Sequence, residues 1–508
     1  MRKNAILTPT TIAAFNLINE NMMNRFTLLF LPLVATGALM GQMPANVSSL
    51  SSADRASLLK RLDQIGPEYA GVAMKIWEWA EVGYQEEKSS GLLQEQLRKE
   101  GFQIQTGVAD IPTAFVASFG SGKPIIGILG EFDALPGVSQ AAVPERQERP
   151  EVKAGHACGH HLFGAGSAAA AVAVKEWLQK SGKSGTIRFY ATPAEEGGAG
   201  KVYMVRAGLF NDVDAVIHWH PSSQNSASAS SSLANMSAKI RFYGVASHAA
   251  AAPERGRSAL DGVEALNYMV NLMREHVQED ARIHYVITRG GEAPNVVPAF
   301  AEVYYYVRHP KMQEVKDIFA RILKAAEGAA MGTGTRTEYE LIHGVYNLMP
   351  NEVLGKIMYN NMKAVGGFTY TEEEKQFAEK IATTLNRPDI SLSSTAAIQP
   401  FEVIEEGNGG STDVGDISWV VPTAGVGTAT WVPGTAAHSW QAVAAGGTSI
   451  GAKGMMIAAK TMALTALDLF NDPNARAAAK AELERRRGAN FSYQPLLGDR
   501  KPPLDYRK

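Results

Sequence analysis

An α/β domain interrupted by a smaller inserted α+β domain is the fold class that the 508-residue sequence predicts, and three observations predict it. The chain is longer than one hydrophobic core supports, since single cores stop growing at roughly 250–300 residues. Short apolar strand candidates alternate with helical patterns up to about residue 222, the signature of a largely parallel sheet. From residue 234 the order changes to strand, helix, strand, strand, helix, and after about Gly344 helices and loops resume.

The elements follow in chain order. "NRFTLLFLPLVATGALMGQ" joins Arg25 to an apolar run from Phe26 to Met40, with small residues at Thr36, Gly37, Ala38 and Gly41. This reads as a secretory signal peptide. The run is short against the ~20 residues of a membrane span and contains Pro32. Met22 and Met23 precede it, so residues 1–42 are expected to be a leader whose translation starts at one of them. The expected location is periplasmic or extracellular. The alternatives are a permanent N-terminal anchor or a disordered leader, the latter on a cytoplasmic protein. No other stretch is apolar enough to span a bilayer.

From Ser52, apolar residues at three- and four-residue spacing predict helices, broken near Gly66-Pro67 and closed by Gly101. Strand candidates lie in "PIIGILGEFDALPG", "GTIRFYATPAEEGG" and "VDAVIHWHP", with the Ala-rich helix "AGSAAAAVAVKEWLQKSG" between the first two. The Ser/Ala/Asn-rich "SSQNSASASSSLANMSAKI" reads as a flexible linker. The main domain is therefore expected over 52–233 and 345–474, the insert over 234–344, and a charged tail over 475–508, in which a charged helix ends in a Pro-containing segment without an assigned fold. "TAGVGTATWVPG" supplies a further buried strand and "GAKGMMIAAKTMALTALDLF" a long apolar-faced helix.

Composition narrows the partners. With 45% hydrophobic residues, 20% charged residues and a net charge of −2, the chain lacks the basic excess of a nucleic-acid or anionic-membrane binder. Its single cysteine excludes an intrachain disulfide.

Four groups of metal-competent residues follow strand candidates: His156, Cys158, His160 and His161; Glu195 and Glu196; His218 and His220; and His438. Thiolate, imidazole and carboxylate are the ligand set of zinc and neighbouring metals. A lone histidine is more often a satisfied core residue. Four groups at successive strand ends converge on one crevice in an open α/β sheet. Both glutamates can face one cavity from the turn "TPAEEGG", where their repulsion calls for a cation. Asp133 follows a buried strand, placed either to orient a ligand histidine or simply to close the turn with Pro136 and Gly137.

"GHACGHHLFGAGS", "TPAEEGGAGKVYMVRAGLFNDVDAVIHWHP", "GVASHAAAAPERGRSALDGVEAL", "GGEAPNVVPAFAEVYYYVR" and "GSTDVGDIS" together resemble the M20 metallopeptidases, over about residues 55–470. The likeness falls in the aminoacylase and IAA-amino-acid hydrolase branch, near the B-type chain of p-aminobenzoyl-glutamate hydrolase. It implies a dimetal exopeptidase-like α/β domain with an inserted lid or dimerisation domain. It further implies two divalent ions per subunit, zinc, manganese or cobalt, held by Cys158, His160, Glu196, His220 and His438. Glu195 matches the general base. His248 matches an oxyanion-stabilising histidine that reaches the partner subunit's site. Asn295 and Arg308 match substrate contacts, Arg308 suiting a free carboxylate. Asp133 and His161 would support the ligands from behind, and His161 is also a candidate extra ligand.

The implied activity is metal-dependent hydrolysis of the amide bond in N-acyl or N-aroyl amino acids, p-aminobenzoyl-glutamate-like or dipeptide-like. The implied assembly is a homodimer through the insert, and the likeness to one chain of a two-chain hydrolase raises a separate partner subunit. Two departures stand out. His161 replaces the commoner aspartate after the ligand histidine, and Thr412 in "STDV" replaces a carboxylate. A cysteine-nucleophile hydrolase would leave Glu195, Glu196, His220 and His438 without roles, and haem attachment lacks its second cysteine. A non-catalytic metal- and ligand-binding protein on the same fold is the alternative from another class.

Overall fold

The computed structural model describes residues 51–507 apart from Pro388 and Asn408, so the leader expected over 1–42 lies outside the described residues. A six-stranded sheet forms the centre, in the order Gln103–Thr106, Phe115–Ser121, Gly185–Ala191, Ile125–Gly130, Ala215–Ser222, Thr423–Ala429. The last four strands are mutually parallel and the first two antiparallel. Every residue of Ile125–Gly130 is buried, as expected of a strand covered on both faces. The helices Ser52–Trp79, His160–Ser181 and Ser449–Asn471 pack against one another and the sheet. The Ala-rich run lets the central helix sit close, with Ala168 to Ala171 fully buried.

The second sheet is antiparallel, in the order Arg282–Arg289, Phe300–His309, Ala234–Tyr243, Arg336–Val345. The helices Ala259–Met273 and Met312–Thr333 cover one face around a separate core that includes Phe242, Leu266, Val303 and Ile322. Strand alternation turns Tyr304, Tyr306 and Arg308 to the other face, away from buried Val303, Tyr305 and Val307.

Several sequence expectations are corrected. Ser52–Trp79 is one continuous helix through Pro67, where the Gly66-Pro67 pair had suggested a break; Gly66 instead faces Met456 of the neighbouring helix. The strands Gln103–Thr106, Phe115–Ser121 and Arg336–Val345 were not anticipated. The last is an edge strand with charged residues over its exposed first half, so its alternation carries little apolar signal.

The Ser/Ala/Asn-rich stretch is not a linker. Asn225 donates to the Thr395 carbonyl at 2.8 Å and accepts from the Ala429 amide at 2.9 Å, Ser231 donates to the Leu348 carbonyl at 2.8 Å, and a central strand begins at Ala234. Its small side chains are there for close backbone approach.

The charged helix read near the end of the chain is present, and the segment after it is ordered too. Asp472 caps the helix Pro473–Arg487 by accepting from the Asn474 and Ala475 amides, at 2.9 and 3.0 Å. Beyond it, Leu496 enters the core of the second sheet and Leu497 that of the first. Among the described residues no helix is long and apolar enough to cross a membrane.

Candidate metal centre

The centre is built at the carboxyl ends of the parallel strands. Gly159, at φ +77°, turns the chain from Cys158 into the helix that starts at His160, and it lies so close to Pro221 that a Cβ would meet that ring at 2.6 Å. The turn bearing Glu195 and Glu196 is flanked by Ala194 and Ala199, at φ +57° and +55°. Such left-handed backbone is uncommon outside glycine and persists only where the surroundings enforce it. Buried Glu86 accepts the Ala194 amide at 2.8 Å, and Tyr84 donates to the Gly198 carbonyl at 2.7 Å. His438 is likewise at φ +61°, its amide donating to the Ala157 carbonyl at 2.9 Å, which ties its loop to that of Cys158.

Three overlapping groups bring potential ligand atoms within 4.8 Å of one another: Cys158, His160 and His220; Cys158, Glu196 and His438; and Glu131, His160 and Glu195. Cys158 is common to the first two and His160 to the first and third, so the three groups form one continuous cluster. His220 donates through Nδ1 to the Pro221 carbonyl at 2.8 Å, which turns Nε2 toward Cys158 Sγ at 3.4 Å. His438 Nε2 lies 3.4 Å from Glu196 Oε1. Asp133 accepts from His160 Nδ1 at 2.9 Å and, through its second oxygen, from the Glu196 amide at 2.9 Å. His160 Nε2 faces Glu131 Oε2 at 3.0 Å, without an aligned hydrogen bond at either atom.

The electrostatics fit divalent cations. Burial, then the neighbouring Glu131 and Glu196, push the Glu195 carboxyl well above its ordinary range, and burial pushes the Cys158 thiol up. Burial opposes the charge on His160, yet Cys158, Glu131 and Asp133 outweigh it and hold the imidazole well above its usual value. Anionic donors gathered in so dry a place repel one another unless positive charge stands among them. Part of that charge is built in: fully buried Lys201 bridges Glu131 and Asp413, at 2.7 Å each.

The sequence-predicted residues fall into three sets. Cys158, His160, Glu195, Glu196, His220 and His438 come together, with Asp133 behind them. Cys158, both glutamates, His220, His438 and Arg308 line one cavity of about 550 Å³. His161 points elsewhere: its Nε2 donates to the Gly446 carbonyl at 3.0 Å and its ring lies against His156, because consecutive helix residues diverge by about 100°. His156 contacts the Ile76 carbonyl at 3.1 Å, and His218 lines a separate cavity of about 210 Å³, where burial makes it a weak base with a pKa of about 4. His248 and Asn295 are exposed together on the second sheet's domain, where the Ala249 amide donates to the Asn295 carbonyl at 3.0 Å; neither lines the cavity of its own chain.

Sequence reasoning missed Glu86, Glu131, Lys201, Asn235, His343, Asp413 and Arg507. "GEFD" held Glu131 beside the chosen Asp133, and "STDV" held Asp413 beside Thr412, whose own hydroxyl only accepts from the Val414 amide at 3.2 Å. Asn235, His343 and Arg507 had no local signal, for they meet Arg308 at the cavity only through the second sheet and the tail.

Residues 127–442 match the family model described as peptidase family M20/M25/M40. The chain is 42% identical over 429 residues to the B-type chain of p-aminobenzoyl-glutamate hydrolase of Escherichia coli, covering 80% of this chain and 89% of that protein. It is 30% identical over 443 residues to the Xaa-Arg dipeptidase of Mus musculus, covering 83% and 91%. Among solved structures, a Bacillus subtilis protein described as a dinuclear metal binding peptidase from the M20 family superposes with a TM-score of 0.53 at 17% identity, covering 80% of this chain and 99% of that one. At that identity the likeness speaks for the fold. With more than half of its length matched by the family model and close relatives spanning most of both chains, the protein belongs to the M20/M25/M40 peptidase family.

Proposed function

We propose that this metallohydrolase cleaves the amide bond of N-acyl or N-aroyl amino acids, with zinc, manganese or cobalt as a pair of ions in each subunit. The observation that carries the reading is Glu195, set within 4.8 Å of His160 and Glu131 beside the Cys158, Glu196, His220 and His438 donors, in a cavity that also holds Arg308. Bound metal supplies a water acidified toward neutral pH and a Lewis acid for the carbonyl oxygen. Glu195 takes the proton of the attacking water and returns it to the leaving amine. Arg308, half-buried with its Nε unpartnered, receives the substrate carboxylate as a fork of donors. The Escherichia coli relative is named for p-aminobenzoyl-glutamate and the mouse relative for a dipeptide, which supports aroyl-amino-acid and dipeptide-like substrates.

The assembly proposed is a homodimer through the inserted domain, with His248 of the partner subunit entering this cavity to steady the oxyanion. Exposed apolar residues on that domain support it: Tyr285, Val286 and Ile287 on the edge strand, and Tyr268, Met269 and Leu272 on the helix beside it. The Escherichia coli relative is named as one of two chains of its hydrolase, which supports a further partner chain, and the pattern in residues 25–41 supports export.

The test is metal analysis together with hydrolysis of a panel of N-acyl amino acids by the wild type, Glu195→Ala and Cys158→Ser. Glu195→Ala should stay metal-loaded and lose about 10²–10⁴-fold in turnover, and Cys158→Ser should lose metal. A metal-replete Glu195→Ala enzyme with undiminished turnover overturns the mechanism. A fully loaded but inactive Cys158→Ser enzyme moves the chemistry to the thiol.

A further inference from the structure

We propose that Arg507 is a second carboxylate-recognising group of this cavity, so that the enzyme prefers N-acyl amino acids whose side chain is itself acidic. The proposal deepens, and rests on, the hydrolase reading above. Its starting point is the path of the chain after the last helix. Arg206 donates to the Gly498 and Arg500 carbonyls at 2.8 and 2.7 Å, and Gln85 donates to the Leu504 carbonyl at 2.8 Å. The segment then arrives at the metal centre, where the Tyr506 hydroxyl and Arg507 Nη2 both donate to the Glu196 carbonyl, at 3.0 and 2.9 Å. Tyr506 packs edge-on against Tyr84, which itself holds the Gly198 carbonyl. Arg507 is therefore delivered to the cavity wall by ordered structure.

Charge then points to the ligand. Arg507 and Arg308 line the same cavity, one from the tail beside Glu196 and the other from the face of the second sheet. Neither guanidinium has a carboxylate partner among the described residues; Arg507 reaches the Glu196 carbonyl and the Tyr506 ring, and Arg308 lies over Tyr306 with its Nε unpartnered. The other cation close by, Lys201, is already matched by Glu131 and Asp413. An α-carboxylate occupies one guanidinium and leaves the second facing the same ligand. A side-chain carboxylate, as in N-acyl-glutamate, satisfies both, and the cavity of about 550 Å³ is large enough for an aroyl group as well. A site whose donors are left unmatched by a neutral analogue rejects it strongly.

N-benzoyl-glutamate and N-benzoyl-glutamine share their shape and differ in that one charge. The experiment measures kcat/KM for both on the metal-loaded wild type and on Arg507→Gln, with metal content and melting temperature recorded for each protein. The wild type is expected to favour the glutamate compound, and Arg507→Gln to shrink the ratio of the two kcat/KM values by about tenfold or more, chiefly through KM. A wild type without preference, or a variant whose ratio is unchanged while both substrates and metal content fall together, overturns the proposal and leaves Arg507 as a prop for the Glu196 turn. A metal-loaded wild type that hydrolyses no N-acyl amino acid overturns the underlying hydrolase reading instead.

Discussion

Asp133 joins His160 to Glu196: one carboxylate oxygen accepts from the imidazole at 2.9 Å and the other from the backbone amide at 2.9 Å. A single buried anion thereby sets the ring orientation of one candidate ligand and the backbone of another. Burial opposes its ionisation, but His160 and the Glu196 amide outweigh burial and keep it a carboxylate. Asp133→Ala is expected to weaken metal binding by about 10–100-fold, the usual cost of removing a partner behind a ligand histidine. Titration of apo protein against a competing chelator measures this, and unchanged affinity would assign Asp133 to the turn alone.

Lys201 matches two carboxylates in a place without solvent, so its removal leaves both unpaired. Lys201→Met should cost about 3–5 kcal/mol in stability, as for other buried pairs broken from one side. Denaturant unfolding of the metal-free protein reads this directly. A triple replacement of Lys201, Glu131 and Asp413 by apolar residues should recover much of the loss, because no charge is then left alone.

Asp416 offers a pH dependence away from the candidate metal donors. It accepts from the Tyr493 hydroxyl at 2.7 Å and the Tyr346 amide at 2.9 Å, and burial pushes its carboxyl up to about 7. A carboxyl with a raised folded-state pKa favours the fold while protonated. That contribution is complete below the unfolded value of about 3.9 and is lost as pH rises toward 7. Asp416→Asn should therefore gain stability relative to the wild type between pH 5 and pH 8. Thermal unfolding of both proteins across that range checks the sign, and parallel curves would refute it.

Subunit exchange tests the shared site. Glu195→Ala and His248→Ala should each be inactive alone, and mixing them under exchanging conditions should restore activity, because one site of each mixed dimer then has both residues intact. A charge placed at Val286 on the exposed edge strand should abolish both dimer and recovery. Sedimentation and turnover measured together decide it; recovery absent from a proven mixed dimer would mean that His248 does not act across the interface.

The parts that were legible in the sequence are those with local signals. Ile125–Gly130 and Thr423–Ala429 announce themselves as apolar runs, and Glu195, Glu196 and His220 stand at or just beyond the ends of parallel strands. Ser222 to Leu233 misled, because small polar residues packed closely against backbone look like residues of a flexible chain. Arg336–Val345 was overlooked because an exposed edge carries charges where a central strand carries valines. Asp413, Glu131 and Lys201 answer one another across hundreds of residues or from the neighbours of more conspicuous motifs. No window of sequence contains such a triad.

Leu496 and Leu497 are adjacent in sequence yet belong to different cores. A few residues on, Arg500 donates to the Leu341 and Ile342 carbonyls on the edge of the second sheet, and the same segment ends on the carbonyl of Glu196. Any rotation that swung the second sheet away from the first would have to extract one of the two leucines or draw on the peptide of Glu196. The tail thus ties the two cores and the Glu196 turn to one another, and a cut between Gly498 and Asp505 should free the turn from the second sheet.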